Sequence, residues 1–357
     1  MKNIWSVQAH KGFVRGVCVS PRGDYFLTCS TDQTVKKWPI QQHFSGKLSE
    51  DCGGSDQLPQ YTWLSDQAFT SLDHHRRRNI FATGGARVQL WDEHRSAPMD
   101  TFEWDSATDT VTSVQFNPVE VEILASSGSD RSICLHDLRM ATSIKKVILT
   151  MRTNHIAWNP IEAFNFTAAN EDSNCYTFDM RRLESALNVH KDHVSAVLSI
   201  DYSPTGREFV TGSYDRTIRI FEYNKGHSRE IYYTKRMQRV FSVLWTFDAK
   251  FVLSGSDETN IRVWKAKAAE KLGSVSPREQ TALNYCERLR ERYQHHPEIK
   301  RIRRHRHVPR SIKKAKELKT LMIQAQKRKE DNRRIHSKPG SIPHTQERKK
   351  NIVALKN

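Results

Sequence analysis

Six cations crowd one short stretch of this chain. Lys300, Arg301, Arg303, Arg304, Arg306 and Arg310 fall within residues 300–310, with His305 and His307 between them. Side chains of these types at this density can neutralise phosphates and release condensed counterions, and an imidazole can stack on an unpaired base. Such a contact would be largely independent of sequence, because the run offers charge rather than a fixed array of base-reading donors. Like charges also repel, so the stretch is not expected to fold by itself without a polyanion. The bias extends well beyond it. Residues 265–357 hold 27 Lys and Arg against 9 Asp and Glu, whereas the preceding residues hold 30 against 31. A nuclear import signal needs only one short cluster. A bias sustained this long points to RNA or a ribonucleoprotein ahead of import alone.

Catalytic chemistry is poorly represented. No phosphate loop, nucleophile elbow, paired metal-ligand motif or dinucleotide fingerprint occurs. Asp73-His74-His75 is a tempting cluster, but it precedes Arg76-Arg77-Arg78, reads as a loop and lacks a spaced third ligand. The six cysteines (Cys18, Cys29, Cys52, Cys134, Cys175, Cys286) show no C-x-x-C spacing. They read as free thiols of a reducing compartment rather than a zinc site. No cofactor or metal is expected. No stretch of 18 apolar residues suggests a membrane span, and no signal-peptide pattern opens the chain.

The nearly neutral body that would carry this tail is repetitive. Aromatic anchors or their stand-ins recur at Trp38, Trp91, His136, Phe178, Phe221 and Trp264, most of them 42–45 residues apart. That period, with a terminal Trp-Asp dipeptide, indicates β-propeller blades. In most windows an Asp precedes the anchor by six residues: Asp32, Asp130, Asp172 and Asp215. Glu258 takes the place before Trp264, and Gly85 takes it before Trp91. An Asp in a tight turn can accept turn backbone N–H groups and orient a His further back, here His10 and His193. This network is expected to stabilise blades rather than to bind metal. Alternating runs such as Thr34-Val35-Lys36-Lys37-Trp38 and Thr217-Ile218-Arg219-Ile220-Phe221 read as half-buried strands. The fold class is therefore an all-β propeller over residues 1–265, with six visible blades, and a basic helical extension over residues 266–357. Residues 1–7 resemble an outer strand leading into a first blade. Either they close a six-bladed ring or an upstream blade is absent from a seven-bladed parent. The start in mid-pattern favours the absent blade. Residues 45–59 read as a surface loop.

The extension carries helix signals. Ser276-Pro277-Arg278-Glu279 supplies an N-cap, a Pro at the first helical position and a Glu three residues after the cap. This predicts a helix to about Gln294, with Ala282, Tyr285, Leu289 and Tyr293 on one stripe expected to pack on the propeller. A second helix is predicted from about Ser311 to Arg334. Ile312, Ala315, Leu318, Met322 and Ala325 lie on its apolar side, and Ser337-Lys338-Pro339-Gly340-Ser341 ends it.

Arg304-His305-Arg306-His307-Val308-Pro309-Arg310-Ser311-Ile312, followed by His336-Ser337-Lys338-Pro339-Gly340-Ser341, resembles the C-terminal SOF domain of a eukaryotic family of small-subunit processome proteins with WD repeats. Gln8-Ala9-His10-Lys11-Gly12-Phe13-Val14-Arg15-Gly16, Arg152-Thr153-Asn154, Thr167-Ala168-Ala169-Asn170-Glu171-Asp172 and Asp201-Tyr202-Ser203-Pro204-Thr205-Gly206 resemble the same family. The resemblance covers essentially the whole chain; the departure is at the N-terminus, where members begin with an additional blade. It implies a non-catalytic nucleolar and nuclear scaffold in the processing of pre-18S ribosomal RNA. Its partners would be processome proteins, box C/D snoRNP and pre-ribosomal RNA. Some animal members are also described as substrate receptors of cullin-RING ubiquitin ligases. Adaptor-binding WD proteins often carry an Asp-x-Arg after a blade strand, and Asp137-Leu138-Arg139 and Asp179-Met180-Arg181 fit it on consecutive blades. An Arg fork there could pair with a carboxylate of the adaptor. The same tripeptide also arises as an ordinary surface turn.

Overall fold

The computed structural model of the chain describes residues 7–40, 58–102, 110–140 and 143–356, apart from the side chains of Arg303 and Arg304. The strands form six antiparallel sheets in chain order, one per blade. Blade 1 is β1 (Val14–Val19), β2 (Tyr25–Ser30), β3 (Thr34–Pro39) and β4 (Tyr61–Leu64). Blade 2 is β5 (Ser71–His74), β6 (Ile80–Gly84), β7 (Val88–Asp92) and β8 (Asp100–Phe102). Blade 3 is β9 (Val111–Phe116), β10 (Ile123–Gly128), β11 (Ser132–Asp137) and β12 (Ser143–Leu149). Blade 4 is β13 (Thr153–Trp158), β14 (Asn165–Asn170), β15 (Asn174–Asp179) and β16 (Asn188–Lys191). Blade 5 is β17 (Val197–Tyr202), β18 (Glu208–Ser213), β19 (Ile218–Glu222) and β20 (Ser228–Tyr232). Blade 6 is β21 (Val240–Trp245), β22 (Phe251–Ser256) and β23 (Ile261–Lys265).

The repeated anchors fix the register of each blade. All six sit on the third strand opposite an apolar residue of the second: Phe26 faces Trp38, Phe81 faces Trp91, Leu124 faces His136, and Phe166 faces Phe178. Phe209 faces Phe221, and Val252 faces Trp264. Cross-strand aromatic pairs of this kind hold a sheet's pairing as well as its core. Trp38 and Trp91 are buried, and their indole N–H groups donate to Thr28 and Thr83 at 3.0 and 2.9 Å. Trp264 makes the equivalent bond to Ser254 at 2.9 Å but is only half-buried.

The turn between second and third strands repeats as well. Gln33, Arg131, Ser173, Arg216 and Thr259 follow the Asp or Glu and adopt a left-handed backbone, with φ between 65° and 74°. Side chains that hydrogen-bond within the turn make that conformation tolerable for a non-glycine residue. Asp32 accepts the Thr34 N–H at 3.1 Å and Asp215 accepts the Thr217 N–H at 2.9 Å. Blade 2 lacks the Asp and recovers the bond from elsewhere: Gln67 accepts the Arg87 N–H at 3.0 Å. Gly85 is required there, since a Cβ would meet the Ala68 carbonyl oxygen at 2.9 Å.

Inner strands pack in succession from β1 on β5 through to β17 on β21. No comparable packing joins β21 back to β1 among the described residues. Both free flanks are apolar: Phe13, Val14, Val17 and Val19 on one, Phe241, Leu244 and Ile261 on the other, all exposed. Residues 1–6, which carry most of the alternative closing strand, lie outside the described residues, as does most of the 45–59 insertion.

The extension holds helices α1 (Pro277–Arg292), α2 (Pro297–Arg304), α3 (Arg310–Ile335) and α4 (Glu347–Lys350), then β24 (Ile352–Lys356). Ser276 caps α1 through the Glu279 N–H. Two expectations are corrected. The α1 stripe of Ala282, Tyr285, Leu289 and Tyr293 is exposed, and α1 buries no residue. The stretch expected to resist folding contains α2. Pro297 has the fixed φ of a first helical residue, and Glu298 in the first turn with cations toward the C-terminus suits the helix dipole, which counters self-repulsion. A third correction concerns Asp73 and His74, which lie in strand β5 rather than a loop.

Candidate functional site

In an antiparallel blade the first strand begins beside the end of the second. The loops entering the inner strands and the Asp-bearing turns therefore share one end of the propeller, called here the upper end. The extension is seated on that end and on the outer rim. Arg306 donates through Nε to the Arg229 carbonyl oxygen at 2.6 Å and lies 3.9 Å from Glu230. His307 bonds the Tyr233 hydroxyl and stacks on its ring, with centroids 5.9 Å apart. Helix α3 then crosses the upper ends of blades 5 and 4. Ile312 is buried, Lys316 donates to Asp192 at 3.0 Å, and Lys319 donates to Ser173 and to the His193 carbonyl oxygen. Of the expected apolar side, Leu318 and Met322 remain exposed. The chain returns along the rim: Lys191 pairs with Glu347, Ala186 N–H donates to the Arg348 carbonyl oxygen, and β24 adds a fifth strand to β12.

This seating divides the basic run. Lys300, Arg301, His305 and Arg310 are exposed, whereas Arg306 is half-buried and, with His307, contacts the propeller. Arg303 and Arg304 lie on α2. The sequence did not reveal the receiving residues Arg229, Glu230 and Tyr233. Nothing in their local pattern separates them from any outer strand.

The two Asp-x-Arg motifs occupy equivalent corners of blades 3 and 4, at the end opposite the Asp-bearing turns. Arg139 donates to both Asp137 oxygens at 3.1 Å, and Arg181 donates to Asp179 at 3.0 and 2.8 Å. Each Arg backbone N–H also bonds its Asp, so both motifs are closed turns. Side-chain bonds to the arginines hold Asp137 and Asp179 below the usual carboxylate range. The guanidiniums nevertheless project: Arg139 and Arg181 side chains are 71% and 60% exposed. Arg181 also stacks over Phe164. The structure brings the two corners together on one end, and places the basic run on the rim of blade 5, away from them.

The histidines serve the frame. His10 Nδ1 bonds Asp32 at 3.0 Å and Nε2 meets Thr28 at 2.8 Å, and the Thr28 oxygen also accepts Trp38. In blade 5, His193 bonds Asp215 at 2.9 Å and Thr211 at 2.7 Å. Burial lowers the His193 pKa more than Asp215 raises it. Burial would raise Asp215, but the charges and bonds of His193, Thr217 and Arg219 hold it well below the usual range. Both groups are committed to the blade, His193 to Asp215 and Thr211, and Asp215 to His193 and Thr217. His74 bonds the Tyr25 hydroxyl at 2.8 Å and lies 3.3 Å from Glu93, and burial lowers its pKa. Half-buried Asp73 accepts the Phe116 N–H at 2.7 Å across to the next blade. No group of three potential metal ligands occurs among the described residues. No described helix is long and apolar enough to cross a membrane.

Six such blades with a docked polybasic extension define a WD-repeat propeller protein built for contact. Residues 266–352 match the Sof1-like domain, and residues 1–39, 184–222 and 226–265 match the WD domain, G-beta repeat. The chain is 53% identical over 350 residues to DDB1- and CUL4-associated factor 13 of Xenopus laevis, covering 98% of this chain and 76% of that protein. It is 49% identical over 362 residues to Protein SOF1 of Saccharomyces cerevisiae, covering 98% of this chain and 73% of that one. The WD40 beta propeller domain of Doa1 shares the fold, with a TM-score of 0.60 at 19% identity over 72% of this chain and 80% of that structure. The chain belongs to the Sof1-like family of WD-repeat proteins.

Proposed function

We propose that the chain is a non-catalytic ribosome-biogenesis scaffold that joins protein partners on its propeller to pre-ribosomal RNA on its extension. Kinship with Protein SOF1 supports the ribosome-biogenesis role. The observation that carries the RNA contact is the division of the basic run. Arg306 and His307 anchor the segment, while Lys300, Arg301 and Arg310 stay exposed beside them. An anchored cluster loses less conformational freedom on meeting phosphates than a free tail would. The finer expectations follow this reading: small-subunit processome proteins and box C/D snoRNP as partners, and the nucleolus as the working site. The test replaces Lys300, Arg301, Arg303, Arg304 and Arg310 with Gln in a chain carrying a heterologous import signal. The variant should leave pre-ribosomal particles in sedimentation while staying nuclear. Co-sedimentation at the wild-type level would reduce the cluster to an import signal.

A second reading has its own observation. Arg139 and Arg181 project from equivalent corners of adjacent blades, and relatives carry the name DDB1- and CUL4-associated factor 13. In this reading the chain is a substrate receptor that docks a cullin-ligase adaptor through Asp137, Arg139, Asp179 and Arg181. The two activities use different parts of the molecule and can coexist.

A further inference from the structure

Where α3 meets blades 5 and 6 it leaves a cavity of about 450 Å³, lined by Tyr214, Arg216, Tyr233, Lys235 and Ile312 among others. Two features set it apart from a packing defect. One of its two aromatic residues, Tyr214, is exposed, whereas Tyr233 is half-buried. Tyr214 is 40% exposed and carries the Arg239 guanidinium over its ring at 4.3 Å, while Tyr233 is stacked on His307. Its rim is cationic: Arg216, Lys235, Arg236 and Arg239 are all exposed at the upper end. The nearby carboxylates are mostly engaged. Asp215 is bound by His193 and Thr217, with buried Arg219 adding positive charge, and Glu258 pairs with Arg262 at 2.7 Å. Asp257 is exposed beside Arg239, outnumbered by the four cations.

Aromatic faces flanked by guanidinium and ammonium groups are what unpaired nucleotides require, since a base needs a stacking surface and its phosphates need neutralisation. A duplex keeps its bases stacked inside and cannot use the ring. We propose that this groove holds an unpaired RNA nucleotide, with Tyr214 as a stacking face and Arg216, Lys235 and Arg239 as phosphate contacts. This rests on the RNA reading of the extension and adds a built site to it. RNA held by Lys300, Arg301 and Arg310 would continue onto the upper end of blades 5 and 6, because residues 305–309 join that cluster directly to α3.

The test is fluorescence anisotropy of the full chain with a labelled twelve-residue oligouridine across a salt series. Tyr214→Ala should weaken binding between about fivefold and a hundredfold, as expected for one lost base stack. Its salt slope should match wild type, and Tyr214→Phe should bind normally. The triple change Arg216→Gln, Lys235→Gln, Arg239→Gln should reduce the slope by about 2, at roughly 0.7 per phosphate on a single strand. Should Tyr214→Ala also lower the melting temperature, the triple variant's slope decides. Full binding by Tyr214→Ala and the triple variant, with loss in Lys300→Gln, Arg301→Gln, Arg310→Gln, overturns the groove and leaves the extension's role standing. Loss in the groove variants with full binding by the extension variant keeps the groove and overturns the extension's role. A wild-type chain that ignores the oligonucleotide overturns both.

Discussion

Asp201 on β17 accepts the N–H of Trp245 on β21 at 2.6 Å, tying the inner strand of blade 5 to that of blade 6. Burial pushes its pKa up to about 7, against the pull of the Trp245 and Tyr202 backbone bonds. The unfolded value is about 3.9, so the fold favours the neutral acid. The stability this contributes is fully present below about pH 4 and is lost as pH rises through about 7, the reverse of an ion-paired carboxylate. Asp201→Asn keeps an oxygen for Trp245 but cannot titrate. Between pH 5.5 and pH 7, the folded acid costs wild type about 1.36 kcal/mol per pH unit, or roughly 2 kcal/mol in all. For a domain of this size that is roughly 4–8 °C of melting temperature. The assay is thermal unfolding of both proteins at pH 5.5 and pH 8.0. The melting temperature of Asp201→Asn relative to wild type should rise by that amount at the higher pH. Asp73 is present in both proteins and cancels. Identical pH dependence in the two would refute the assignment of a neutral acid at Asp201.

Three further outcomes are expected. Trp91→Ala should destabilise by about 3–5 kcal/mol in denaturant unfolding, and Trp264→Ala by clearly less, because Trp264 is only half-buried; equal losses would contradict this difference in burial. Arg139→Glu with Arg181→Glu should abolish recovery of a cullin adaptor from nuclear extract while leaving the melting temperature within a degree or two, and undiminished recovery would reject the docking corners. Ile312→Asp buries a charge under the first turns of α3 and should release the extension, read as faster trypsin cleavage between residues 297 and 310 with the propeller intact; an unchanged cleavage rate would show that Ile312 does not hold α3.

Features that are local or periodic could be read from the chain alone. Anchors 42–45 residues apart, an Asp six residues before most of them and alternating strands define the blades, because each blade repeats the same short-range demands. The α1 start was legible for the same reason: Ser276, Pro277 and Glu279 satisfy one another within a single turn. The charge asymmetry needed no structure at all. Which of several equivalent groups meet depends on the folded chain. Arg306 and Arg310 look alike in the chain, yet one reaches Arg229 on a strand 77 residues earlier and the other stays exposed. Gln67 replaces a missing turn Asp from 20 residues upstream. The stripe of α1 has the spacing of a packed face but stays exposed among the described residues, since periodicity records which side of a helix is apolar and not whether anything lies opposite. Arg139 and Arg181 prove to be bound by their own aspartates, and Tyr214, unremarkable in its window, becomes a cavity wall because α3 crosses above it. These outcomes depend on the path of the extension over the propeller, which is set by contacts between residues far apart in the chain.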